Sequence, residues 1–410
     1  MPIQHALGES LPLWSILPFA GLLLAIAVAP LLAPLWWEHH YGKVSVGLAL
    51  PVALYFLAAD PAHLLRTLHE YVAFIILLGA LFTITGGILV RGDFPPTPLV
   101  NGIFLAIGAV IANLIGTTGA SMLLVRPLLR ANARRERRVH VLVFFIFLVS
   151  NVGGALTPLG DPPLFLGFLE GVPFFWTLRL WPQWLLTVAL VLTIFYLVDL
   201  YHWRHEAVHP REELGFAVLG GQNFVFLGGV IGAIFLPTPW REAVMVLMGV
   251  ASYQLTRGEI HSKNGFGFHP IIEVATLFIG IFMTMMPALL ILEARGSHLG
   301  LHAPWHFFWV TGALSSFLDN APTYLTFLSA ARGLGLPAEV AGVPATFLAA
   351  VSLGAVFMGA NSYIGNGPNF MVRSIAERQG VKMPSFFGYM MYSGLVLLPV
   401  FAIVTMVFFR

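Results

Sequence analysis

Two stretches of the sequence place glycine, proline and oxygen-bearing side chains inside long apolar runs. They cover residues 151–163 and 361–369, and a shift of 205 positions lays Asp161 of the first on Asn366 of the second. Glycine and proline interrupt a helix, so backbone groups lose their intrahelical partners. Carboxylate, amide and carbonyl oxygens are the ligands that hard cations take in proteins. The two interruptions therefore predict a site for Na⁺ or another small cation.

The composition places these interruptions in a membrane protein. The chain is 58% hydrophobic and only 10% charged, with a mean hydropathy of +0.84, whereas about a quarter of the residues of a soluble domain are charged. It has no cysteine, which excludes disulfides and thiolate metal sites. No phosphate-binding GxxxxGK[ST] loop is present. We expect no enzyme activity, no organic cofactor and no nucleic-acid partner, with the lipid bilayer as the main surrounding.

Several apolar runs are long enough to cross about 30 Å of hydrocarbon. The first is predicted to be a retained helix, because it lacks the basic start and cleavage site of a signal peptide. Ten runs are predicted to cross, at 13–36, 43–59, 70–90, 139–166 (broken), 182–201, 222–237, 240–256, 271–292, 343–372 (broken) and 385–408. Two further runs, 98–130 and 304–333, have polar, turn-forming centres and are predicted to be re-entrant hairpins that enter and leave on one side.

The predicted fold is an all-α polytopic membrane protein with two repeats of five crossings each. Residues 1–201 form the first repeat, 202–221 a polar cytoplasmic linker and 222–410 the second repeat. Each repeat contains one hairpin and one broken helix. Because the number of crossings per repeat is odd, the second repeat is inverted. Further landmarks keep a similar offset: Asn113 with Asn320, and Arg126 with Arg332.

The distribution of basic residues predicts the orientation. With this topology most of the 21 lysines and arginines fall on one side, which the positive-inside rule makes cytoplasmic. Both termini are then external, the first hairpin opens inward and the second opens outward. The run Arg134–Arg138 is read as a determinant of this topology.

Matching interruptions in two halves of a membrane chain are the best sequence pointer to a transporter binding site. The candidate ligands share an oxygen-bearing side chain at an interruption or a hairpin tip: Asn113, Thr117, Thr118, Asn151, Thr157, Asp161, Asp319, Asn320, Thr323, Asn361, Ser362 and Asn366. Na⁺ is predicted near Asp161 and Asp319, because ionisable groups at membrane depth are costly and usually functional. The same two carboxylates are the candidates for proton coupling, with Glu273 as a third.

Each charged candidate also has a purely structural interpretation. Asp161 would cap the half-helix that starts at the next residue, and Asp319 would form a turn. Glu273 would complement the dipole of a helix that it begins, as would Glu70. Arg126 and Arg332 would extend to the membrane interface, with the binding of an anionic substrate as the alternative.

The segments SNVGGALTPLGDPP (150–163) and ANSYIGNGPNF (360–370), together with the paired hairpins, resemble the ion transporter superfamily over essentially the full length. The chain is most similar to its bacterial Na⁺/H⁺ antiporter-like and citrate transporter branch. The resemblance implies a scaffold domain, a mobile transport domain, a homodimer and a location in the bacterial inner membrane. The dicarboxylate branch carries Ser-Asn-Thr at its hairpin tips, whereas this chain has Asn113 with Thr117 and Thr118, and Asp319-Asn320 with Thr323.

Taken together, these patterns predict a secondary transporter that works by alternating access. The first hypothesis is Na⁺/H⁺ antiport, in which Na⁺ and H⁺ compete for buried carboxylates. The alternative is Na⁺- or H⁺-coupled symport of citrate or a dicarboxylate, in which the acids hold the coupling ion and the amides and hydroxyls hold the substrate. Arsenite efflux ranks third. A channel or structural protein ranks fourth, because duplicated interruptions favour alternating access over a static pore.

Overall fold

The structure is a computed structural model that describes residues 7–92, 94–206 and 217–410. This part of the chain is almost entirely helical. Its α-helices are α1 (Leu17–Leu32), α2 (Pro34–Ala59), α3 (Pro61–Gly86), α4 (Pro98–Ala131), α5 (Val139–Leu148), α6 (Pro162–Leu169), α7 (Trp181–Arg204), α8 (Asn223–Ala233), α9 (Trp240–Leu255), α10 (Gly258–Lys263), α11 (His269–Arg295), α12 (Pro304–Ser315), α13 (Asn320–Arg332), α14 (Ala345–Met358), α15 (Gly367–Arg378) and α16 (Phe386–Phe408). Short 3₁₀ helices cover Leu13–Ile16, Val152–Leu156, Phe174–Leu180, Gly296–Leu299 and Gly359–Asn361. Two strands, β1 (Leu89–Arg91) and β2 (Ala217–Leu219), complete it.

Within the described residues, eight helical stretches are long and apolar enough to cross a membrane. The stretch Val139–Leu156, which contains α5, is 89% buried, whereas those that contain α1 and α2 are only 22% buried. Every residue of α14 from Phe347 to Met358 is also buried. The helices that lead into the two interruptions therefore form the centre of the molecule, and α1 and α2 lie at its outside.

Helix boundaries follow backbone breakers more closely than they follow the ends of apolar runs. Helix α2 begins at Pro34 instead of the predicted 43, and α3 begins at Pro61 instead of 70. Apolar runs mark only the part of a helix inside hydrocarbon, but its hydrogen bonds continue into the interface until proline or a cap ends them. The prediction that Glu70 begins a helix is therefore wrong, because this residue lies in the third turn of α3.

The first hairpin is shown by a pair of side chains at the two ends of α4. Asn101 and Asn132 exchange hydrogen bonds of 3.1 Å and 2.9 Å between their amide groups. In a straight helix, 31 residues would separate them by about 46 Å. The chain reverses at Gly116, whose φ of 79° is readily adopted only by glycine. Residues 98–115 and 117–131 are thus two antiparallel arms.

The second hairpin consists of α12, α13 and the short tip between them. The rings of Phe307 and Phe327 lie 6.5 Å apart, although 20 residues of straight helix would span about 30 Å. The tip is centred on residues 316–319. Both polar centres that the sequence predicted to be turns are therefore the positions at which helical arms reverse.

The open end of the first hairpin is held by a buried ionic cluster. Arg135 Nη1 lies 2.5 Å from Asp199 Oδ1, and both side chains are inaccessible to solvent. His140 Nε2 is 2.9 Å from the same carboxylate oxygen, and Asn101 Nδ2 donates to Asp199 Oδ2 at 3.0 Å. The run Arg134–Arg138, which the sequence analysis interpreted as a determinant of topology, thus also supplies a buried ion pair through Arg135. This ion pair and its hydrogen-bonded neighbours connect both arms of the first hairpin to α7.

A small sheet lies beside the linker. Strand β1 pairs antiparallel with β2, with Val90 opposite Val218. Asn264 Nδ2 donates to the carbonyl oxygens of Gly86 and Ile88, at 2.8 Å each. Residues 207–216 of the predicted linker lie outside the described residues. The division into two repeats, their inversion and the cytoplasmic side remain predictions.

Candidate cation and substrate site

The two interruptions have the same local geometry. Thr157 Oγ1 accepts from Gly160 N at 3.1 Å, and Ser362 Oγ accepts from Gly365 N at 3.2 Å. Both glycines are sites of close backbone approach, because a Cβ at Gly160 would lie 2.2 Å from a carbonyl oxygen and one at Gly365 would lie 2.6 Å from two. Each interruption therefore ends in a turn that a hydroxyl group stabilises, and the glycine of this turn has no room for a side chain.

Each interruption is bonded to the tip of one hairpin. In the first, Asn113 Oδ1 accepts from Leu156 N at 2.8 Å, and the Asn113 carbonyl accepts from Thr157 Oγ1. Thr117 N donates to the Gly160 carbonyl at 2.8 Å. These bonds satisfy backbone groups that the broken helix leaves free, as an apolar environment requires.

The second interruption repeats this arrangement with different residues. Ser362 Oγ donates to the Ser316 carbonyl, and Asn361 Nδ2 donates to Ser316 Oγ at 2.9 Å. Ser315 Oγ donates to the Ala355 carbonyl at 2.6 Å. At the second tip, Ser315 and Ser316 thus form the hydrogen bonds to the interrupted helix that Asn113 forms at the first tip.

Asp161 lies where these two units meet. Its side chain is 1% exposed. Oδ1 accepts from Thr117 Oγ1 at 2.7 Å and from Asn366 Nδ2 at 3.1 Å, while Oδ2 accepts from Asn320 Nδ2. The carboxylate makes no capping bond to α6. The capping interpretation of Asp161 is therefore wrong, because all three donors come from other elements and two of them from the second half of the chain.

A group of asparagines extends the site from Asp161. Asn366 Nδ2 also lies 3.2 Å from Asn151 Oδ1, and Asn151 Nδ2 donates to Asn369 Oδ1 at 2.7 Å. Asn369 Nδ2 in turn donates to the carbonyls of Gly359 and Ser362. Neutral amides therefore surround the Asp161 carboxylate and connect the two interruptions.

Two buried amide oxygens in this region have no hydrogen-bond partner: Asn320 Oδ1 and Asn361 Oδ1. An unpaired buried acceptor is costly, and a bound cation would satisfy it. Oxygen atoms of carboxylate and amide groups fit Na⁺ better than they fit a transition metal. Among the described residues, no three His, Cys, Asp or Glu side chains gather as a transition-metal site would need.

Some predicted site residues have other roles. The Asp319 carboxylate accepts from Ala321 N at 3.0 Å, which caps α13, and Thr323 Oγ1 donates back to the Asp319 carbonyl at 2.8 Å. Thr118 lies half-buried after the first tip. Glu273 lies in the second turn of α11, so it does not begin the helix, and its titratable neighbours are His269 and Glu38. None of these residues forms a hydrogen bond with Asp161, although Asp319 directly precedes Asn320 and its charge acts on the Asp161 carboxylate.

The sequence analysis missed Asn369, Ser150, Ser315 and Ser316 as site residues. Asn369 lies one helical turn after the interruption, three residues past Asn366, and this spacing was the available signal. Ser150 contributes its carbonyl to Asn366 and its hydroxyl to Ser121. The serines at the second tip could not be selected from sequence, because serine is common in helix ends without any binding role.

Arg126 and Arg332, which the repeat offset pairs, differ in their surroundings. Arg332 Nη1 lies 2.7 Å from Glu170 Oε2, and its other nitrogens donate to the carbonyls of Ala341 and Glu170. Arg126 Nη1 is buried without a hydrogen-bond partner. The interface interpretation of Arg126 is therefore incomplete, because this nitrogen does not reach water.

Central helices broken at matching positions, hairpin tips that complete them and one buried carboxylate define a multi-pass membrane protein of the transporter class. The chain matches the protein family described as "Putative citrate transport" over residues 8–409. It therefore belongs to this family, as the resemblance implied, and this is a family of transporters. A search of curated proteins finds no significant match.

Proposed function

We propose that this protein is a secondary transporter that exchanges Na⁺ for H⁺ at Asp161. The observation that carries the proposal is the position of this carboxylate, which is buried where both interruptions and both hairpin tips converge. A buried ionisable group at such a junction is expensive and is justified by ion transport.

The surroundings of Asp161 suit exchange between two occupants. Asparagine side chains carry both a donor and an acceptor, so a rotated amide can face either an ionised or a protonated carboxyl group. Asn320 and Asn366 are the two amides in contact with Asp161. When Na⁺ is bound, Asn320 Oδ1, which has no hydrogen-bond partner, is an available oxygen ligand for it; when a proton is bound, an amide oxygen accepts it. Neither state requires a second charged residue.

Competition between Na⁺ and H⁺ tests the proposal directly. The full-length protein in detergent is titrated with NaCl by calorimetry at several pH values and in several buffers. We expect the apparent dissociation constant of Na⁺ to rise as the pH falls, because the proton occupies the same carboxylate, while each Na⁺ bound releases protons. A Na⁺ affinity independent of pH, with no proton released, would exclude exchange at this site.

The variant that tests the residue is Asp161→Asn, with Asp60→Asn as the matched control. Asp60 caps α3 by accepting from His63 N at 3.1 Å, and asparagine caps about as well as aspartate. Asp161→Asn should weaken Na⁺ binding at least tenfold, which corresponds to about 1.4 kcal/mol, and abolish Na⁺-driven proton movement in proteoliposomes. Asp60→Asn should leave both unchanged. Normal exchange by Asp161→Asn would refute the assignment.

A second candidate function is Na⁺-coupled symport of a small carboxylate such as citrate. It is favoured by the description of the family and by the N-termini of α6 and α15, which receive no side-chain cap. Such helix ends favour anions. Labelled citrate uptake driven by a Na⁺ gradient would support symport. So would citrate that tightens Na⁺ binding, because coupling between two bound ligands is reciprocal.

A further inference from the structure

The two amides that contact Asp161 differ in how firmly their orientation is set. Asn366 Nδ2 lies among three acceptors, which are Asp161 Oδ1 at 3.1 Å, Asn151 Oδ1 at 3.2 Å and the Ser150 carbonyl at 3.2 Å. Rotation of this amide would put an oxygen in place of the nitrogen and turn all three contacts into contacts between acceptors. Asn366 therefore donates to Asp161 for as long as its other neighbours keep their own orientation.

The side chain of Asn151 cannot turn its nitrogen toward Asn366. Its Nδ2 already donates to the Ile146 carbonyl at 2.9 Å and to Asn369 Oδ1 at 2.7 Å. An amide group has two donor hydrogens, so only the oxygen of Asn151 remains for Asn366. Asn151 is 0% exposed, so water offers its amide no alternative partner.

The side chain of Asn369 is held in turn by the backbone of the second interruption. Its Nδ2 donates to the Gly359 carbonyl at 2.8 Å and to the Ser362 carbonyl at 2.9 Å. A peptide carbonyl only accepts, so these two groups fix the nitrogen of Asn369 and leave its oxygen to accept from Asn151. We call Asn369, Asn151 and Asn366 the amide chain. Backbone carbonyls set the direction of every hydrogen bond along it.

The orientation of Asn320 has no such support. Its Nδ2 donates to Asp161 Oδ2, but its Oδ1 is buried and has no hydrogen-bond partner among the described residues. Rotation of this amide therefore breaks one hydrogen bond and presents Oδ1 to Asp161 in place of Nδ2. An unpaired buried acceptor is costly, so an occupant that uses this oxygen is favoured.

The two oxygens of the Asp161 carboxylate consequently differ. Oδ1 accepts from Asn366 Nδ2 and from Thr117 Oγ1 at 2.7 Å, so both of its lone pairs are engaged. Among the described residues, Oδ2 accepts only from Asn320. The oxygen with the rotatable partner is therefore the one that can take up an ion.

We propose that the amide chain keeps Oδ1 of Asp161 permanently hydrogen-bonded, so that the transported ion binds at Oδ2, where Asn320 is the amide that rotates. This inference rests on the proposed exchange at Asp161 and assigns different roles to its two amides. Asn366 stabilises the ionised carboxylate, because a hydrogen bond to the charged form favours that form. Asn369 and Asn151 are positioning residues, since they act on the carboxylate only through Asn366.

Moving the carboxylate distinguishes the two amides. The first double variant is Asp161→Asn/Asn320→Asp, in which the amide introduced at position 161 can donate to the carboxylate at position 320 while its oxygen still accepts from Asn366. The second, Asp161→Asn/Asn366→Asp, is the matched control with the same composition and net charge. Its new carboxylate would face the Ser150 carbonyl and Asn151 Oδ1, two acceptors whose orientation is fixed.

Na⁺ binding to both full-length double variants is measured by calorimetry in detergent, beside the wild type and Asp161→Asn. The first should bind Na⁺ at least about tenfold more tightly than Asp161→Asn, whereas the second should bind no better than Asp161→Asn. Equal behaviour of the two folded double variants, or recovery in the second only, would overturn the inference. A wild type that neither binds Na⁺ nor releases protons would refute the proposed function, and this inference with it.

A double-mutant cycle tests the amide chain without moving a charge. Asn369→Ala should weaken Na⁺ binding roughly threefold or more, because Asn366 then loses its fixed orientation and part of its hydrogen bonding to the ionised carboxylate. In the Asn366→Ala background the same substitution should change the affinity less than about twofold, since it acts only through Asn366. A purely structural role of Asn369 would give the same effect in both backgrounds. That result would overturn the inference even if the charge-moving variants did not fold.

Discussion

At the scale of single residues, Asp161 and Asp319 differ in their hydrogen-bond partners. Both precede a helix and both were candidates for capping and for cation binding. The carboxylate of Asp161 accepts only from side chains of other elements, whereas that of Asp319 accepts from the backbone of its own helix, at Ala321 N. The groups that surround each carboxylate decide between these hydrogen-bond patterns, and residue type does not.

The helix cap formed by Asp319 can be tested by substitution of this residue. Asp319→Asn should retain Na⁺ binding and transport within about twofold, because asparagine caps a helix about as well as aspartate. Asp319→Ala should lower stability by about 1 kcal/mol, which is the typical cost of losing a cap. Thermal unfolding and Na⁺ titration of both variants provide the measurement. A large loss of Na⁺ affinity in Asp319→Asn would show instead that its carboxylate is a ligand, as the sequence predicted.

At the scale of secondary-structure elements, the site exists because two broken helices can approach each other and two hairpin tips closely. Glycine makes this possible at the turns that end the interruptions, and hydroxyl and amide side chains bond the backbone groups that remain. The first hairpin is held at its other end by Arg135 and Asp199. Neutral polar groups therefore hold the tip of this hairpin, whereas an ion pair holds its base.

Close packing at Gly365 predicts that alanine substitutions at two nearby glycines have different effects on stability. In Gly365→Ala the new methyl group would lie 2.6 Å from the carbonyls of Gly359 and Ser315, so we expect destabilisation of about 1–3 kcal/mol from overpacking and loss of Na⁺ binding. Gly367→Ala has nothing within 4 Å and should be tolerated. Unfolding temperatures in detergent would show the difference, and equal behaviour of the two variants would refute this packing.

The buried ion pair at the base of the first hairpin predicts that substitutions of the adjacent residues Arg134 and Arg135 have different effects on stability. Arg135→Gln leaves Asp199 buried opposite a neutral group, which should cost about 3–5 kcal/mol and lower the unfolding temperature strongly. Arg134→Gln changes an exposed side chain and should have an effect of at most about 0.5 kcal/mol. If both variants unfolded alike, the run would act only through its charge on topology.

At the scale of the whole molecule, the chain is a helical membrane protein whose central helices are the broken ones. Most residues of the outer helices α1 and α2 are not buried inside the molecule, as is typical of helices that face lipid. The proposed alternating access requires that the two hairpins open to opposite sides, so that one site can be reached from each side in turn. The reversal of each hairpin is visible in the structure, and their opposite orientation is a prediction.

Labelling of single cysteines tests that orientation, because the chain has none of its own. Cysteines at the exposed positions Pro95 and Arg134 flank the first hairpin and should react from the same side of the membrane. Cysteines at the exposed His302 and Leu336 flank the second hairpin and should react together from the opposite side. Labelling of Pro95 and Arg134 from different sides would contradict the hairpin, and labelling of all four from one side would contradict the inversion.

The sequence by itself determined the class of protein, the two interruptions and the turns between hairpin arms. Composition and run length depend only on how residues partition between water and hydrocarbon, and glycine and proline act on their own backbone, so these features are readable locally. The different hydrogen-bond partners of Asp161 and Asp319, the ion pair of Arg135 and the unpartnered Nη1 of Arg126 are visible only in the tertiary structure. Each depends on which groups, from elements tens or hundreds of residues apart, are brought within hydrogen-bond distance.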